Sequence, residues 1–166
     1  MSRGILSAAL AVLFMVGATL AFAQIGERKT GDARVKALLD KAEYKYTVDE
    51  DGDFRLVNTT ADDRTHVVFI ESKTAKLGDL EIRDVFSVGY ISDEEVPASV
   101  MSNLLRENSL VKLGAWSISR INGKDAAVFR AKIAADTDTK TLLMTMRAVT
   151  STADAKEKEL LKTDDL

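Results

Sequence analysis

A two-residue turn, Asn122-Gly123, is the feature that most constrains how this chain can fold. It separates two runs with apolar residues at alternate positions. Asn-Gly suits a type I′ turn, in which both central residues need positive φ, and is the strongest local signal of a β-hairpin. The resulting register predicts four pairs: Ile121–Lys124, Arg120–Asp125, Ile118–Ala127 and Trp116–Phe129. A slip of one residue would place the two aromatic rings on opposite faces, so the pattern predicts a single register.

The first 23 residues have the three parts of a secretory signal peptide. Arg3 supplies a basic start, residues 5–22 are apolar, and small residues at Ala21 and Ala23 match a cleavage site. We predict cleavage between Ala23 and Gln24, which places the mature protein in the periplasm or outside the cell. An uncleaved anchor is the alternative, because about 20 uncharged residues can span a bilayer.

Composition sets limits on the chemistry of the mature chain. The sequence has 166 residues, a formal net charge of −3 and no cysteine. Disulfides, thiolate metal sites and thiol nucleophiles are therefore excluded. A mildly acidic chain also has no bulk attraction for nucleic acid or for anionic lipid surfaces. After the signal peptide (1–23) we expect a flexible lead-in (24–31), one domain (32–162) and a short tail (163–166).

Periodicity predicts an α+β domain of order α-β-β-β-β-α-β-β-α. Asp32 is placed to cap a first helix that ends around Tyr44, and an acidic hairpin tip follows at residues 49–53. Residues 64–72 are apolar on both faces, which is typical of an interior strand. Further helices are predicted after Pro97 and from residues 136–138 onwards. The whole is predicted to be an antiparallel sheet with helices packed on one face.

The fourth strand and the last helix each contain an interruption of their regular pattern. The fourth strand alternates cleanly, with two sets of residues on opposite faces: Leu80, Ile82, Phe86, Val88 and Tyr90 on one, Glu81, Arg83 and Ser87 on the other. Asp84 interrupts the apolar set, and a bulge or a strand end there would explain it. In the last helix, Thr150-Ser151-Thr152 is poor helical sequence and marks a point where the helix would kink or divide.

The order of elements and several short motifs resemble those of the YbjN family. The motifs are the helix at residues 100–108, the exit Leu113-Gly114-Ala115-Trp116, the turn Asn122-Gly123-Lys124, the helix through Ala153-Asp154, and the early hairpin at Asp51-Gly52. The resemblance covers residues 32–161 and implies the fold of type III secretion chaperones. It also implies a regulatory or chaperone-like role, since members are labelled sensory transduction regulators and the related chaperones are dimers that hold extended partner segments. It brings no catalytic residues. This sequence differs from the secretion chaperones in its predicted export signal, because those chaperones work in the cytoplasm.

Few residues are candidates for chemistry. The hairpin tip places Asp49, Asp51 and Gly52 at positions of a calcium loop, but Asn58 stands where a bidentate carboxylate is needed, so a solvated turn is the simpler interpretation. His66 is the single histidine, and no carboxylate is adjacent to it in sequence, so a structural role is favoured over a zinc or catalytic role. Asp84 would have a raised pKa if buried, although an ion pair is the commoner outcome.

The remaining motifs also have simple structural interpretations. Trp116 and Phe129 line either the core or a ligand or partner groove, and the core is the commoner case. Asn58-Thr59-Thr60 matches a glycosylation acceptor. The glycines are scattered singly, so no phosphate-binding loop is predicted. We therefore predict no catalytic residue, no cofactor and no metal site.

These observations favour an exported, non-enzymatic binding module. It would hold a protein or peptide partner, and would form a homodimer, by burying apolar side chains and by pairing at a sheet edge, with the sheet or the last helix as the contact surface. One alternative is a carboxylate-based or metal-assisted hydrolase in which Asp49, Asp51, Asp84 and His66 converge. Another is a carrier of a small apolar ligand, with a pocket between sheet and helices. No partner is expected among nucleic acids, nor, after signal cleavage, in the membrane.

Overall fold

The computed structural model describes residues 30–166. The predicted signal peptide, its cleavage site at Ala23 and Gln24, and most of the predicted lead-in lie outside the described residues.

Within residues 30–166, three helices and six strands follow one another in the predicted order. Asp32 caps α1 by accepting a hydrogen bond from the Arg34 N–H, and Asp138 caps α3 in the same way through Thr141. The first helix ends at Lys41, earlier than predicted, and a short 3₁₀ turn, Ala61–Asp63, precedes β3. The elements are α1 (Ala33–Lys41), β1 (Thr47–Val48), β2 (Phe54–Thr59), β3 (Thr65–Leu77), β4 (Leu80–Ser92), α2 (Ala98–Glu107), β5 (Ala115–Ile121), β6 (Lys124–Ala134) and α3 (Thr139–Leu160).

All six strands belong to one antiparallel sheet with the order β1-β2-β3-β4-β6-β5. The β5–β6 hairpin has the predicted register at every predicted pair. Its two aromatic rings meet edge to face, with 5.2 Å between the centroids of Trp116 and Phe129. Asn122 and Gly123 both have positive φ, as a type I′ turn requires. The α+β class and the order of elements are therefore confirmed.

The core lies between one face of the sheet, which we call the inner face, and α3. The helix contributes an apolar stripe that includes Leu142, Met146 and Val149, and all three side chains are buried. From the sheet, Val85 and Phe129 meet this stripe. Side chains of the core fill the space beside this stripe, and a hollow of about 700 Å³ lies between β2 and α3, lined by residues that include Asn58, Arg147 and Thr150.

Strand β4 does not present its two faces as its alternation predicts. Arg83 and Ser87, predicted on the polar face, are buried on the inner face, whereas Phe86 and Val88 lie half-buried on the opposite, outer face. Arg83 is accommodated because it donates hydrogen bonds to the Asp32 carboxylate and to the Glu71 carbonyl. The alternation of polar and apolar residues in β4 therefore predicted the wrong face as the buried one.

A bulge at Gly89 in the β4–β6 pairing explains the change of face along β4, and the β3–β4 pairing has its own register shift, between Ile70 and Thr74, opposite Asp84 as predicted. The pairing with β6 shifts between Val88 and Tyr90, so that Tyr90 pairs with Ala127 and packs against the core. Phe86 and Tyr90 were predicted on the same face, and the extra residue separates them. The predicted break in α3 was also wrong, because the helix runs unbroken through Thr150 and Thr152, whose hydroxyls donate to carbonyls one turn earlier.

Candidate functional site

The edge of the sheet at β5 carries the largest group of exposed apolar side chains near one strand. β5 is the last strand in the sheet order, so among the described residues no strand pairs with its second edge. Leu105 on α2 is 72% exposed and Leu110 in the following loop is 81% exposed. Met101 and Ile118 are also exposed. A free edge beside apolar side chains is a surface onto which an extended segment can pair.

A groove of about 210 Å³ runs between α2 and β5. Its walls are formed by side chains of the helix and by the strand: Met101, Leu104, Leu105, Asn108, Trp116, Ser117 and Ile118. A second hollow of about 400 Å³ adjoins it around Leu113, Gly114 and Trp116, with Arg130 and Lys132 on its far side. We refer to this groove, with its exposed residues Met101, Leu105 and Ile118, as the edge groove.

Asn108 fixes the relative position of α2 and β5. Its side-chain oxygen accepts a hydrogen bond of 2.6 Å from the Trp116 N–H, and its amide nitrogen donates to the Trp116 carbonyl at 3.3 Å. These two bonds use the backbone groups of one β5 residue and hold the end of the helix against the strand. The two bonds therefore hold the walls of the edge groove in a fixed relative position.

A second polar site is buried beneath the sheet, between β3 and the end of α3. His66, Asp154 and Glu157 point towards one another there, and their ligating atoms lie within 4.8 Å of one another. Arg64 bridges the two carboxylates, with Nε 2.7 Å from Asp154 and Nη2 2.9 Å from Glu157. The hydrogen bond to Asp154 raises the pKa of Arg64 above its ordinary value, despite the opposing effect of burial. We call these four residues the buried cluster.

Residues of the predicted tail complete the buried cluster. Glu157 Oε1 accepts hydrogen bonds from the backbone N–H groups of Asp165 and Leu166, at 2.7 and 3.0 Å. The Thr163 carbonyl accepts a bond of 2.6 Å from Arg64. Segment 163–166 therefore packs against the domain, and it positions one oxygen of a fully buried carboxylate.

Asp84 lies on the outer face, in an ion-pair group with β6. Its carboxylate is 2.8 Å from Arg130 Nη1 and 2.7 Å from Lys132 Nζ. Arg130 also pairs with Glu71 and lies 4.6 Å above the ring of Phe86. Burial lowers the pKa of Arg130, but its hydrogen bonds to Asp84 and Glu71 outweigh burial and leave that pKa raised. The expected ion pair with a neighbouring strand is confirmed.

The structure does not bring the residues of the predicted hydrolase site together. His66 points to the inner face of the sheet, and Asp84 lies on the outer face. Asp49 lies in the β1–β2 turn, where its side chain accepts from the N–H groups of Asp51 and Asp53. That arrangement is a hydrogen-bonded turn of the hairpin tip. Asp84 therefore does not share a cleft with His66, and the hydrolase alternative stays a prediction.

Asn58 is a poor glycosylation acceptor in this fold. It lies on the inner face of β2, is buried, and donates a hydrogen bond of 3.0 Å to the Thr150 hydroxyl. A glycan needs an exposed asparagine amide, so the folded domain does not offer this acceptor.

Comparisons with known proteins give no family for this chain. No family model and no curated protein matches it. Within residues 30–166, no helix combines the length and the apolar character needed to cross a membrane.

Sequence reasoning missed both the carboxylate partners of His66 and the edge groove. The partners were readable in part, because the buried stripe of α3 continues from Val149 and Ala153 into Asp154 and Glu157. Charged residues at positions of a buried stripe indicate a paired polar cluster. The edge groove had no such signal in the sequence. Which apolar side chains of α2 stay exposed depends on how the helix packs against the sheet.

Proposed function

We propose that the protein is a non-enzymatic binding module that holds an extended, apolar segment of a protein partner in the edge groove. The segment would pair its backbone with the edge of β5 beyond Trp116, whose own N–H and carbonyl are taken by Asn108, and would place alternate side chains against α2. The observation that carries this proposal is the coincidence of an unpaired strand edge with exposed Leu105, Met101 and Ile118 on one surface. Such a coincidence is rare on soluble proteins, which normally protect sheet edges.

The edge groove, and not the last helix α3, is the proposed contact surface. Its apolar stripe is buried against the sheet, and among its large apolar side chains Met144 stands out as exposed, at 60%. Export from the cytoplasm and membership of the YbjN family both stay predictions. If that resemblance is right, holding an extended partner segment is the property it implies.

Peptide selection and binding measurements would test this function. Short random peptides displayed on phage are selected on the purified protein, and the binders are measured by calorimetry against variants. We expect the selected peptides to alternate apolar and polar residues, and Leu105→Asp to weaken binding at least about tenfold, since an apolar anchor at the centre of an interface is worth 1–2 kcal/mol or more. Met144→Asp is the matched control, because it places the same charge at a similarly exposed apolar position on α3.

Two results would contradict the proposal. Binding that Leu105→Asp leaves unchanged would show that the edge groove is not the binding surface. A concentration-dependent dimer in sedimentation, disrupted by the same substitution, would show that a second copy of the chain occupies the groove instead of a partner.

A further inference from the structure

We propose that His66, Asp154 and Glu157 form a binding site for a divalent transition-metal ion of the Zn²⁺ class. The site is separate from the edge groove: it lies between β3 and α3, so the inference stands independently of the proposed partner. Imidazole and carboxylate ligands together suit zinc and its neighbours better than they suit calcium or magnesium, which prefer oxygen alone.

The state of His66 points to a ligand. The side chain is completely buried, and neither ring nitrogen has a hydrogen-bond partner among the described residues. Its Nδ1 lies 3.3 Å from Glu157 Oε2, but without the alignment of a hydrogen bond. Leaving a buried polar group unsatisfied is costly, and a metal–nitrogen bond would remove that cost. Buried histidines without partners are rare enough to need an explanation.

The spacing of the ligating atoms fits a metal after a small adjustment. Metal–ligand bonds of about 2.0–2.1 Å in a tetrahedral zinc site place neighbouring ligand atoms about 3.3 Å apart. The His66–Glu157 separation already has this value. Asp154 lies one helical turn before Glu157 on the same face of α3, and its carboxylate needs to turn inward because the three atoms span up to 4.8 Å. Three protein ligands leave a fourth position for water.

The hydrogen bonds around Glu157 prepare it as a ligand. The N–H groups of Asp165 and Leu166 both donate to Oε1, which leaves Oε2 directed towards His66 and Arg64. Outer donors of this kind fix the orientation of a metal-binding carboxylate.

Arg64 acts as the competitor for the metal. Its guanidinium group occupies the carboxylate oxygens that the metal needs, and it supplies the positive charge of the metal-free cluster. It also has an alternative set of partners, because Nη1 bonds to the Thr163 carbonyl and Nη2 is 3.5 Å from the Asp164 carboxylate. Metal binding therefore requires Arg64 to shift outwards towards segment 163–166. Removing its charge should strengthen metal binding.

The single histidine makes the test direct. The full protein is freed of metal with a chelator and titrated with ZnCl₂, by calorimetry and by ¹⁵N NMR of the imidazole. We expect one ion per chain and a large ¹⁵N shift of one ring nitrogen, with no other histidine to confuse the assignment. We expect His66→Ala to weaken binding more than tenfold and Arg64→Gln to tighten it about tenfold or more.

The matched control is Asp84→Asn, which removes a carboxylate from the ion-pair group on the outer face and should leave zinc binding unchanged. No saturable binding of one ion, or an imidazole spectrum that zinc does not alter, would overturn the proposal. Because the NMR measurement uses the unsubstituted protein, it decides the question even if His66→Ala fails to fold. Weaker zinc binding in Arg64→Gln would show that Arg64 supports the site and does not compete for it.

Discussion

Gly89→Ala should destabilise the domain by a steric conflict in the core. Gly89 is the bulge residue of β4 and faces the core, where a Cβ atom would lie 2.6 Å from Trp116 Cη2 and 3.1 Å from the Ala153 carbonyl oxygen. The first distance is shorter than real Cβ contacts, so the indole ring has to move. The carbonyl belongs to the backbone of α3 and cannot yield as easily. The φ angle of Gly89 is not positive, so the cost is steric rather than conformational.

The expected loss of stability is about 1–3 kcal/mol, the usual cost of adding a methyl group to a filled core. For a domain of this size, that corresponds to a fall in Tm of roughly 3–12 °C. Urea unfolding, followed by far-UV circular dichroism, gives the free energy. Fluorescence gives an independent signal of the ring displacement, because Trp116 is the single tryptophan.

A double-mutant cycle with Trp116→Phe tests the stated cause. Phenylalanine lacks the ring atom that the new methyl group would strike, so Gly89→Ala should cost about 1 kcal/mol less in that background. Effects that add to within about 0.5 kcal/mol would refute the reasoning, because residues in steric conflict do not behave additively. An unchanged stability of Gly89→Ala alone would also refute it.

Two further predictions have defined outcomes. Hydrogen bonds from Arg34 and Thr74 lower the pKa of Glu81 from 4.5 to about 2. Its folded pKa is below the unfolded value, so its contribution is present above about pH 4.5 and is lost as the pH falls towards 2. Glu81→Gln should therefore flatten the dependence of urea stability on pH in that window, and parallel curves would contradict this. Thr150→Val should cost about 1–3 kcal/mol by removing the acceptor for the buried Asn58 amide. Thr152→Val, which breaks a bond only within α3, should cost less in the same unfolding assay.

Local chemistry made the β5–β6 hairpin predictable. Turn type, register and the Trp116–Phe129 contact all follow from Asn122-Gly123, because they depend on neighbours in sequence. The faces of β4 were not predictable in this way. Arg83 is buried because Asp32, from another element, pairs with it, and alternation alone treats every arginine as exposed.

The buried cluster shows the same limit. His66 lies on β3 and its carboxylate neighbours lie on α3, near the other end of the sequence. Adjacency in sequence could not reveal the carboxylate neighbours of His66, because the packing of α3 against the sheet brings them to it. The charges that continue the stripe of α3 were the one visible sign. They become informative only when the helix is known to be unbroken to Leu160.

The place of β6 between β4 and β5 has a consequence for the folding pathway. The hairpins β3–β4 and β5–β6 join strands that follow each other closely, and such hairpins form in about 1–10 μs. The β4–β6 pairing instead has to close a segment that contains α2 and β5, and this loop closure carries the larger entropic cost. The rate-limiting step should therefore be the joining of two preformed hairpins along β4 and β6, beneath α3. Backbone amides of these two central strands should exchange with solvent only when the whole domain unfolds.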